Sequence, residues 1–263
     1  MTDGNGRKIE YLRMSVTDAC NLKCVYCMPP DGMKECPCRQ AMSADEFVEI
    51  AREAAGLGTK KLRITGGEPL VRGDIVPLVR RLGEIPGIED MSLTTNATLL
   101  APMARELYEA GIHRINISLD TLNAQKYEKI TRGGRLADAL DGIRAALEAG
   151  MSPVKLNTVL IGGFNDDEIE ALAALTMRCP VQLRFIELMP IGDTKGEFSS
   201  DAYLPVGTVL DRLPQLEPAP GERHAVARLY KLPDAEGKIG LISPLSNHFC
   251  AEYRSEEHTS ELQ

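Results

Sequence analysis

The chain has 263 residues, of which 43% are apolar and 26% are charged, and its net charge at neutral pH is −8. This length and composition suit a globular α/β barrel with a large core. The acidic balance argues against a general nucleic-acid binder, although it is compatible with a local basic pocket for an anion.

The chain shows no signal for membrane insertion or export. No apolar run is as long as a membrane span, and the polar N-terminus lacks the apolar core of a signal peptide. We therefore expect a cytoplasmic protein with neither a membrane nor a nucleic-acid partner. Thiols stay reduced in that compartment, so clustered cysteines there indicate metal or redox chemistry.

Strand-like and helix-like segments alternate along the first 190 residues. The strand-like segments lie at 11–16, 60–65, 90–95, 113–119, 153–161 and 181–188. The helix-like segments lie near 43–56, 74–84, 98–110, 135–149 and 165–177. Ser43 and Glu46 form a capping-box pattern at the start of the first helix. Several strands are apolar almost throughout, which is typical of a parallel sheet covered by helices.

This alternation predicts a parallel sheet with right-handed crossovers. An open six-stranded barrel and a doubly wound sheet both fit the pattern. In either fold, functional residues lie at the C-terminal ends of the strands. The pattern changes after Pro190, where a loop-like stretch precedes a short helix within 205–213 and two strands within 224–243.

Three of the seven cysteines follow the first strand: Cys20, Cys24 and Cys27. Soft thiolates bind zinc, copper(I) or iron–sulfur clusters. A structural zinc needs a fourth ligand, which Cys36 or Cys38 could supply. Three thiolates on a [4Fe–4S] cluster instead leave one iron open for a substrate or cofactor. The spacing alone leaves zinc and iron–sulfur open.

Two motifs together resemble the radical S-adenosylmethionine (SAM) enzymes. The first is Cys-x3-Cys-x2-Cys with the aromatic Tyr26 before the last cysteine. The second is "TGGEPL" at 65–70, which is similar to the Gly-Gly-Glu-Pro motif that binds the methionine part of the cofactor. Glycines in such a turn let backbone groups approach a ligand closely.

Further segments resemble the GTP 3′,8-cyclase family of molybdenum-cofactor biosynthesis. They run from about Tyr11 to Cys250 and include "SLTTNATLL", "INISLDTLN", "VKLNTVLIGGFNDDEI" and "RFIELMPIG". The resemblance implies an α/β fold, a partial (β/α)6 TIM-like barrel. Its core would span 1–190, and the start of a small, incomplete C-terminal auxiliary-cluster region would span 191–253.

The resemblance also implies roles for individual residues. The first [4Fe–4S] cluster would be bound by Cys20, Cys24 and Cys27. SAM would be contacted by Tyr26, Gly67, Ser118 and Met189. GTP would be contacted by Arg13, Arg63, Thr94 and Lys155.

The positions of three of the implied GTP residues indicate a function independently of the resemblance. Arg13, Arg63 and Lys155 lie in three different strands with apolar neighbours, where an unpaired cation is costly. Each one alone could snorkel or pair with a carboxylate in the core. Three cations in one parallel sheet favour a cavity for phosphate groups.

Other polar candidates have weaker patterns. Asn96 and Asn157 fit either site roles or turn and capping roles. Cys179 is expected to be a small buried apolar residue. The pair Cys36 and Cys38 is interpreted as a loop variation without a role in the cluster.

The implied reaction is a radical cyclisation. The reduced cluster would transfer one electron to SAM, which releases methionine and a 5′-deoxyadenosyl radical. This radical would take the hydrogen from ribose C3′ of GTP, and the carbon radical would attack guanine C8 to give 3′,8-cyclo-7,8-dihydro-GTP. The reaction needs an electron donor, and a cyclic pyranopterin monophosphate synthase would act downstream.

The resemblance implies a second [4Fe–4S] cluster, of whose ligands only Cys250 is present in this sequence. Tyr253 stands where the next cysteine is expected. Residues 254–263 leave the family pattern and match the translation of a sequencing adapter, although a divergent natural tail is the alternative. We expect an artefact here, and a truncated chain that holds one cluster and makes little cyclised GTP.

Two other functions fit parts of the sequence. One is a radical SAM enzyme that modifies a peptide, against which the three strand cations count. The other is a non-catalytic zinc module using Cys24, Cys27, Cys36 and Cys38, which leaves the glycine-rich turn unexplained.

Overall fold

The computed structural model describes residues 9–27, 42–189, 202–220 and 226–246. Their strands form one open sheet in the order β1-β2-β3-β4-β5-β6-β9-β8-β7. The strands are β1 (Tyr11–Ser15), β2 (Lys61–Thr65), β3 (Asp90–Thr95), β4 (Ile112–Ser118), β5 (Val154–Leu160), β6 (Val181–Glu187), β7 (Glu217–Pro218), β8 (Arg228–Lys231) and β9 (Lys238–Ile242). Strands β1 to β6 are parallel, as the sequence predicts.

Helices connect the parallel strands. The helices are α1 (Ala44–Gly56), α2 (Ile75–Gly83), α3 (Ala104–Glu109), α4 (Ala124–Thr131), α5 (Leu136–Ala149), α6 (Ile169–Arg178) and α7 (Gly207–Arg212). Short 3-10 turns lie at Pro69–Val71 and Asp166–Glu168. None of the helices in these ranges is long and apolar enough to cross a membrane.

One core lies between the strands and the helices. Buried residues of the parallel strands, such as Ile64, Leu93 and Leu183, belong to the same apolar cluster as Phe47 of α1 and Leu172 of α6. The opposite face contributes polar side chains instead. Helices on one face of an open parallel sheet make a partial (β/α)6 barrel, which confirms the predicted fold class and excludes the doubly wound alternative.

Strands β5 and β6 alternate buried and less buried residues, which corrects for them the expectation of almost wholly apolar strands, whereas β3 and β4 each bury three consecutive residues. Every second residue of β5 and of β6 is buried. Successive side chains of a strand point to opposite faces, and helices cover only one of these faces. The uncovered face can therefore carry polar groups in the middle of the sheet.

Local signals explain where two of the helices begin. The capping box at α1 is present, because Glu46 N–H donates to Ser43 Oγ at 3.3 Å and Ser43 N–H donates to Glu46 Oε2 at 2.7 Å. Helix α4 is missing from the sequence prediction, since Tyr127 and Ile130 are its only large apolar residues. Its available signal is the N-cap Asn123, whose Oδ1 accepts bonds from two backbone N–H groups.

The C-terminal part of the described chain extends the same sheet. Strand β9 pairs with β6 in parallel, and β8 and β7 follow in antiparallel order. Helix α7 and strands β8 and β9 agree with the short helix and the two strands that the sequence predicts after Pro190, whereas β7 was not predicted. The expected domain boundary at 190 lies outside the described residues.

Candidate active site

The uncovered face of the sheet, here called the polar face, brings all four predicted GTP residues together. Arg13 and Arg63 lie side by side on β1 and β2. Thr94 on β3 and Lys155 on β5 both flank Asn116 of β4. Residues in register on neighbouring strands point to the same face, so these side chains share one surface.

Two further arginines on the polar face escaped the sequence analysis. Arg184 of β6 is in register with Asn157 of β5. Arg114 of β4 is in register with Ser92 of β3, and its Nε donates to Asp90 Oδ1 at 2.9 Å. The sequence did contain a signal for them, because each of these arginines is a cation inside a predicted strand.

Two buried amide oxygens on the polar face need an explanation. Asn116 Oδ1 and Asn157 Oδ1 are buried, and neither accepts a hydrogen bond from the part of the chain that the structure describes. Leaving a buried acceptor unsatisfied costs about 1–3 kcal/mol. Such atoms in a folded protein point to a polar ligand. Asn116 is in register with Lys155, and Asn157 is in register with Ser118, so the ligand would lie beside these four residues.

The cysteine loop, residues 16–27, is docked onto the glycine-rich turn after β2. Gly67 N–H donates to Thr17 O and Glu68 N–H donates to Ala19 O, each at 2.8 Å. A Cβ at Gly67 would lie 2.5 Å from Ala19 O. The expected function of the glycine was close approach of a ligand. The structure shows that the space beside Gly67 is filled by the cysteine loop.

A buried carboxylate joins the glycine-rich turn to the end of β3. Glu68 accepts bonds from Thr95 Oγ1 and Asn96 N–H, both at 2.7 Å, and from Leu70 N–H at 3.0 Å. Burial raises the pKa of Glu68, and these three bonds partly oppose that rise. The carboxylate therefore fixes the backbone of Asn96 relative to the turn.

Asn96 links this junction to the cysteine loop. Its Nδ2 donates to Asn21 Oδ1 at 2.9 Å and lies 4.0 Å from Cys20 Sγ. Its Oδ1 accepts bonds from the N–H and hydroxyl of Thr98, at 3.0 and 2.7 Å. Asn96 therefore stabilises the turn after β3 and also contacts the cysteine loop. The sequence left open whether this residue had a turn role or a site role.

Helix α4 supports the loop from the other side. Lys23 N–H donates to Thr131 O at 3.1 Å, and Val25 N–H donates to Ile130 O at 2.9 Å. Arg132 Nη1 donates to Lys23 O at 3.1 Å. The helix that the sequence analysis missed is therefore part of the scaffold of the cysteine loop.

The three thiols of the loop have raised pKa values. Burial is the main cause for each of them. For Cys27, burial together with the charges of Asp120 and Cys20 raises the pKa to about 11. The pKa of Cys24 is raised further, by burial and then by the neighbouring Cys27. Binding of a metal to these thiols releases protons, because the thiolate is the ligand.

The donor chemistry of this loop fits a [4Fe–4S] cluster. Three soft thiols lie on one loop, and none of the four described cysteines forms a disulfide. Within the described ranges, no three His, Cys, Asp or Glu side chains are arranged to chelate a single metal ion. Cys36 and Cys38, the other ligands of the zinc reading, lie outside the described residues.

The four predicted SAM residues lie at or beyond the C-terminal ends of strands. Ser118 ends β4 on the polar face, and Gly67 follows β2. The Tyr26 hydroxyl donates to Asp120 Oδ2 at 2.5 Å. Met189, two residues beyond β6, is 39% exposed. Parallel strands end at one edge of a sheet, so these residues and the cysteine loop share that edge.

Glu187, at the end of β6, holds the C-terminal segment of the described chain. It accepts bonds from Leu245 N–H at 2.9 Å, from Ser246 N–H at 3.0 Å and from the Ser246 hydroxyl. Val206 N–H donates to the same carboxylate at 3.3 Å. The predicted cluster ligand Cys250 and residues 254–263 lie beyond this segment, outside the described residues.

Comparison with family models gives two adjacent matches. Residues 14–176 match the radical SAM superfamily, and residues 181–253 match the family described as Molybdenum Cofactor Synthesis C. Curated proteins named GTP 3′,8-cyclase are similar over most of the chain. The protein from Pelotomaculum thermopropionicum is 50% identical over 258 residues, covering 95% of this chain and 78% of that protein. The protein from Listeria monocytogenes is 48% identical over 255 residues, covering 95% and 76%.

Solved structures show the same fold at low sequence identity. Streptococcus suis SuiB bound to S-adenosylmethionine superposes with a TM-score of 0.66 at 19% identity, covering 94% of this chain and 52% of that one. Coproporphyrinogen III oxidase from Escherichia coli gives a TM-score of 0.57 at 15% identity, covering 88% and 57%. The curated relatives favour neither the peptide-modifying alternative nor the zinc module.

Proposed function

This chain belongs to the GTP 3′,8-cyclase family of radical SAM enzymes, and from this premise we propose its reaction. The enzyme is a lyase that converts GTP to 3′,8-cyclo-7,8-dihydro-GTP, the first step of molybdenum-cofactor biosynthesis. The observation that carries the assignment is the polar face. It places cations and two unsatisfied amide oxygens beside an edge where three thiols lie on one loop.

In this proposal the cysteine loop holds the first cluster. Cys20, Cys24 and Cys27 provide the three thiolates. When bound, the [4Fe–4S] cluster supplies the electron that cleaves SAM into methionine and a 5′-deoxyadenosyl radical. The chain holds the thiols in place through the bonds that tie the loop to Gly67, Glu68 and α4. The cluster ligands are thus set before SAM arrives.

SAM binding is assigned to the edge of the sheet where the strands end. Tyr26, Gly67, Ser118 and Met189 are the proposed contacts. Ser118 is the one on the polar face, two residues along β4 from Asn116, which is in register with the proposed GTP residues Thr94 and Lys155. Cofactor and substrate would therefore meet between the loop and the sheet, where bound groups exclude water from the radical.

GTP binding is assigned to the polar face itself. Arg13, Arg63 and Lys155 supply positive charge for the triphosphate, and Thr94 supplies a hydroxyl. Guanidinium groups bind phosphate oxygens in pairs, and the lysine acts as a point charge. Asn116 Oδ1, which lies between Thr94 and Lys155, accepts a donor group of the nucleotide.

The remaining parts of the proposal concern the second cluster, the domain boundary, the location of the enzyme and its pathway. Family members carry a second [4Fe–4S] cluster, and we assign Cys250 here as a remnant of that ligand set, without a second cluster bound to this chain. We place the domain boundary near residue 190 and the enzyme in the cytoplasm. An external donor reduces the cluster, and a cyclic pyranopterin monophosphate synthase uses the product.

A binding experiment separates this function from its rivals. The chain is reconstituted anaerobically with iron and sulfide, and its affinities for GTP and for a panel of unrelated peptides are measured. We expect about four irons per cysteine loop and selective binding of GTP. Uptake of zinc alone, or binding of peptides in preference to GTP, would contradict the proposal.

A further inference from the structure

Asp120 lies just beyond β4, where the cysteine loop meets the barrel. Its side chain is buried, with 6% of the residue exposed. Its Oδ2 accepts the 2.5 Å bond from the Tyr26 hydroxyl, and its Oδ1 accepts a 2.9 Å bond from Val159 N–H of β5. One carboxylate oxygen therefore contacts the loop and the other contacts the barrel.

The support beneath Asp120 is itself a buried network. Ser118 and Asn157 are the last residues of β4 and β5 in register. Beyond them, Asn165 Nδ2 donates 2.8 Å bonds to Asp120 O and to Val159 O, and Asn165 is fully buried. Side chains thus hold the two strand ends together, which gives Asp120 a fixed backbone.

The ring of Tyr26 lies in apolar surroundings. It packs against a small cluster formed by Ile130, Ile161 and Ala202, separate from the main core. A phenol hydroxyl in such a place needs an acceptor, because burying it without one is costly. Asp120 provides that acceptor, so the ring has one favoured position.

We propose that Asp120 is a positioning residue for the cysteine loop. Tyr26 lies inside the turn that Cys27 N–H closes onto Cys24 O at 2.9 Å. Holding the ring on Asp120 fixes this turn and the direction in which it presents the thiols of Cys24 and Cys27. The inference rests on the proposed function, since the turn matters through the cluster and the SAM site that it borders.

The test compares four variants of the whole chain with the wild type. Tyr26→Phe removes only the hydroxyl, and Asp120→Ala removes its acceptor. The double variant combines them. Asp120→Asn is the conservative variant, because its amide can still accept from Val159 N–H and pair with the Tyr26 hydroxyl.

A matched control changes the next residue along the chain. Thr121 is fully buried, and its hydroxyl donates to Glu168 Oε1 at 2.7 Å without contacting the loop. Thr121→Ala therefore reports on a lost buried hydrogen bond in the same place. Each protein is measured for Tm without metal and, after reconstitution, for iron bound, for the Kd of SAM by titration, and for the change that SAM causes in the electron paramagnetic resonance of the reduced cluster.

We expect Tyr26→Phe and Asp120→Ala each to raise the Kd for SAM by about tenfold, the loss for one buried hydrogen bond to a charged group. The double variant should lose about tenfold as well, since both changes break one contact. Asp120→Asn should restore most of the affinity. Thr121→Ala should lower the Tm yet leave the Kd for SAM and the spectrum unchanged.

Three results would overturn the inference. One is a wild-type Kd and spectrum in Tyr26→Phe, which is informative even if Asp120→Ala fails to fold. Another is losses that multiply in the double variant, and the third is an equal loss in Thr121→Ala. A wild-type chain that takes up no cluster would instead overturn the proposed function, and this inference with it.

Discussion

On the helix-covered face of the sheet, Leu93 and Leu156 are fully buried among other apolar side chains. On the polar face, the very next residues, Thr94 and Asn157, lie among cations and amides. Both sets come from the same strands and differ by one position. The comparison shows that stability and ligand binding are divided between the two faces, since alternate residues face opposite ways.

The polar face lowers the stability of the fold, and burial of apolar side chains on the other face offsets this loss. Buried amide oxygens without partners reduce stability, whereas burial of a large aliphatic side chain contributes about 1.5–3 kcal/mol. A change on one face should therefore affect folding, and a change on the other should affect ligands. The edge where the cysteine loop lies is the place where loss of function should be complete.

The largest effect is expected at that edge. Cys24→Ala should abolish formation of 5′-deoxyadenosine, because a cluster held by two thiolates lacks one of its three ligands. Cys179→Ala, at the end of α6, is the matched control and should keep activity, as should Cys36→Ala and Cys38→Ala. The measurement is 5′-deoxyadenosine released per enzyme under anaerobic conditions. Normal cleavage of SAM by Cys24→Ala would contradict the assignment of the cysteine loop as the cluster site.

The second prediction sets the two faces against each other within β3. Leu93→Ala should lower the free energy of unfolding by about 2–5 kcal/mol, because it leaves a cavity in the core. Thr94→Ala should cost about 1 kcal/mol or less and should weaken GTP binding instead. Urea denaturation measures the free energy of unfolding of both variants, and titration with GTP measures their affinity for the nucleotide. Equal losses of stability would show that the faces are not divided in this way.

The third prediction concerns the cations. Arg63→Ala should weaken GTP binding by about tenfold to a hundredfold, as expected for lost charge-assisted hydrogen bonds. SAM binding should change little. Arg80→Ala on exposed α2 surface is the control, because it removes the same charge from the helix side. If both variants bind GTP alike, net charge and not the polar face governs binding.

The smallest effect is a pH dependence at the end of β6. Burial raises the pKa of Glu187, but the hydrogen bonds from Ser246, Leu245 and Val206 outweigh it, so the pKa lies below its usual 4.5. The unfolded carboxyl therefore binds a proton at higher pH than the folded one. Its contribution to stability is present above pH 4.5 and is lost as the pH falls below that value.

Glu187→Gln isolates this contribution. The variant should be less stable than the wild type at neutral pH, and the difference should shrink as the pH falls below 4.5. Urea denaturation at several pH values measures it. A difference that stays constant with pH would show that the carboxylate charge contributes nothing.

Much of the scaffold could be predicted from the sequence because its signals are local. Strand-like segments mark the positions of β1 to β6, and Ser43 with Glu46 marks the start of α1. The cysteine loop and "TGGEPL" were recognisable as motifs. Helix α4 was missed because its few apolar residues give no clear helical pattern, and its contacts with the loop depend on tertiary packing.

The contacts inside the site could not be read from the sequence. Asp120 reaches Tyr26 across 94 positions, and Glu68 reaches Thr95 across 27. Arg114 and Arg184 became visible as part of the polar face once the register of the strands was known. Spacing predicts which residues share a strand, whereas the pairing of strands decides which of them meet.

The most direct test of the central claim is a transfer of label. The reconstituted chain is incubated anaerobically with SAM, a reductant and GTP carrying deuterium at ribose C3′, and the 5′-deoxyadenosine is analysed by mass spectrometry. If the polar face holds GTP beside the cysteine loop, one deuterium should appear in 5′-deoxyadenosine, and none should appear from GTP labelled at guanine C8. Unlabelled 5′-deoxyadenosine from both substrates, formed at the same rate without GTP, would contradict this account.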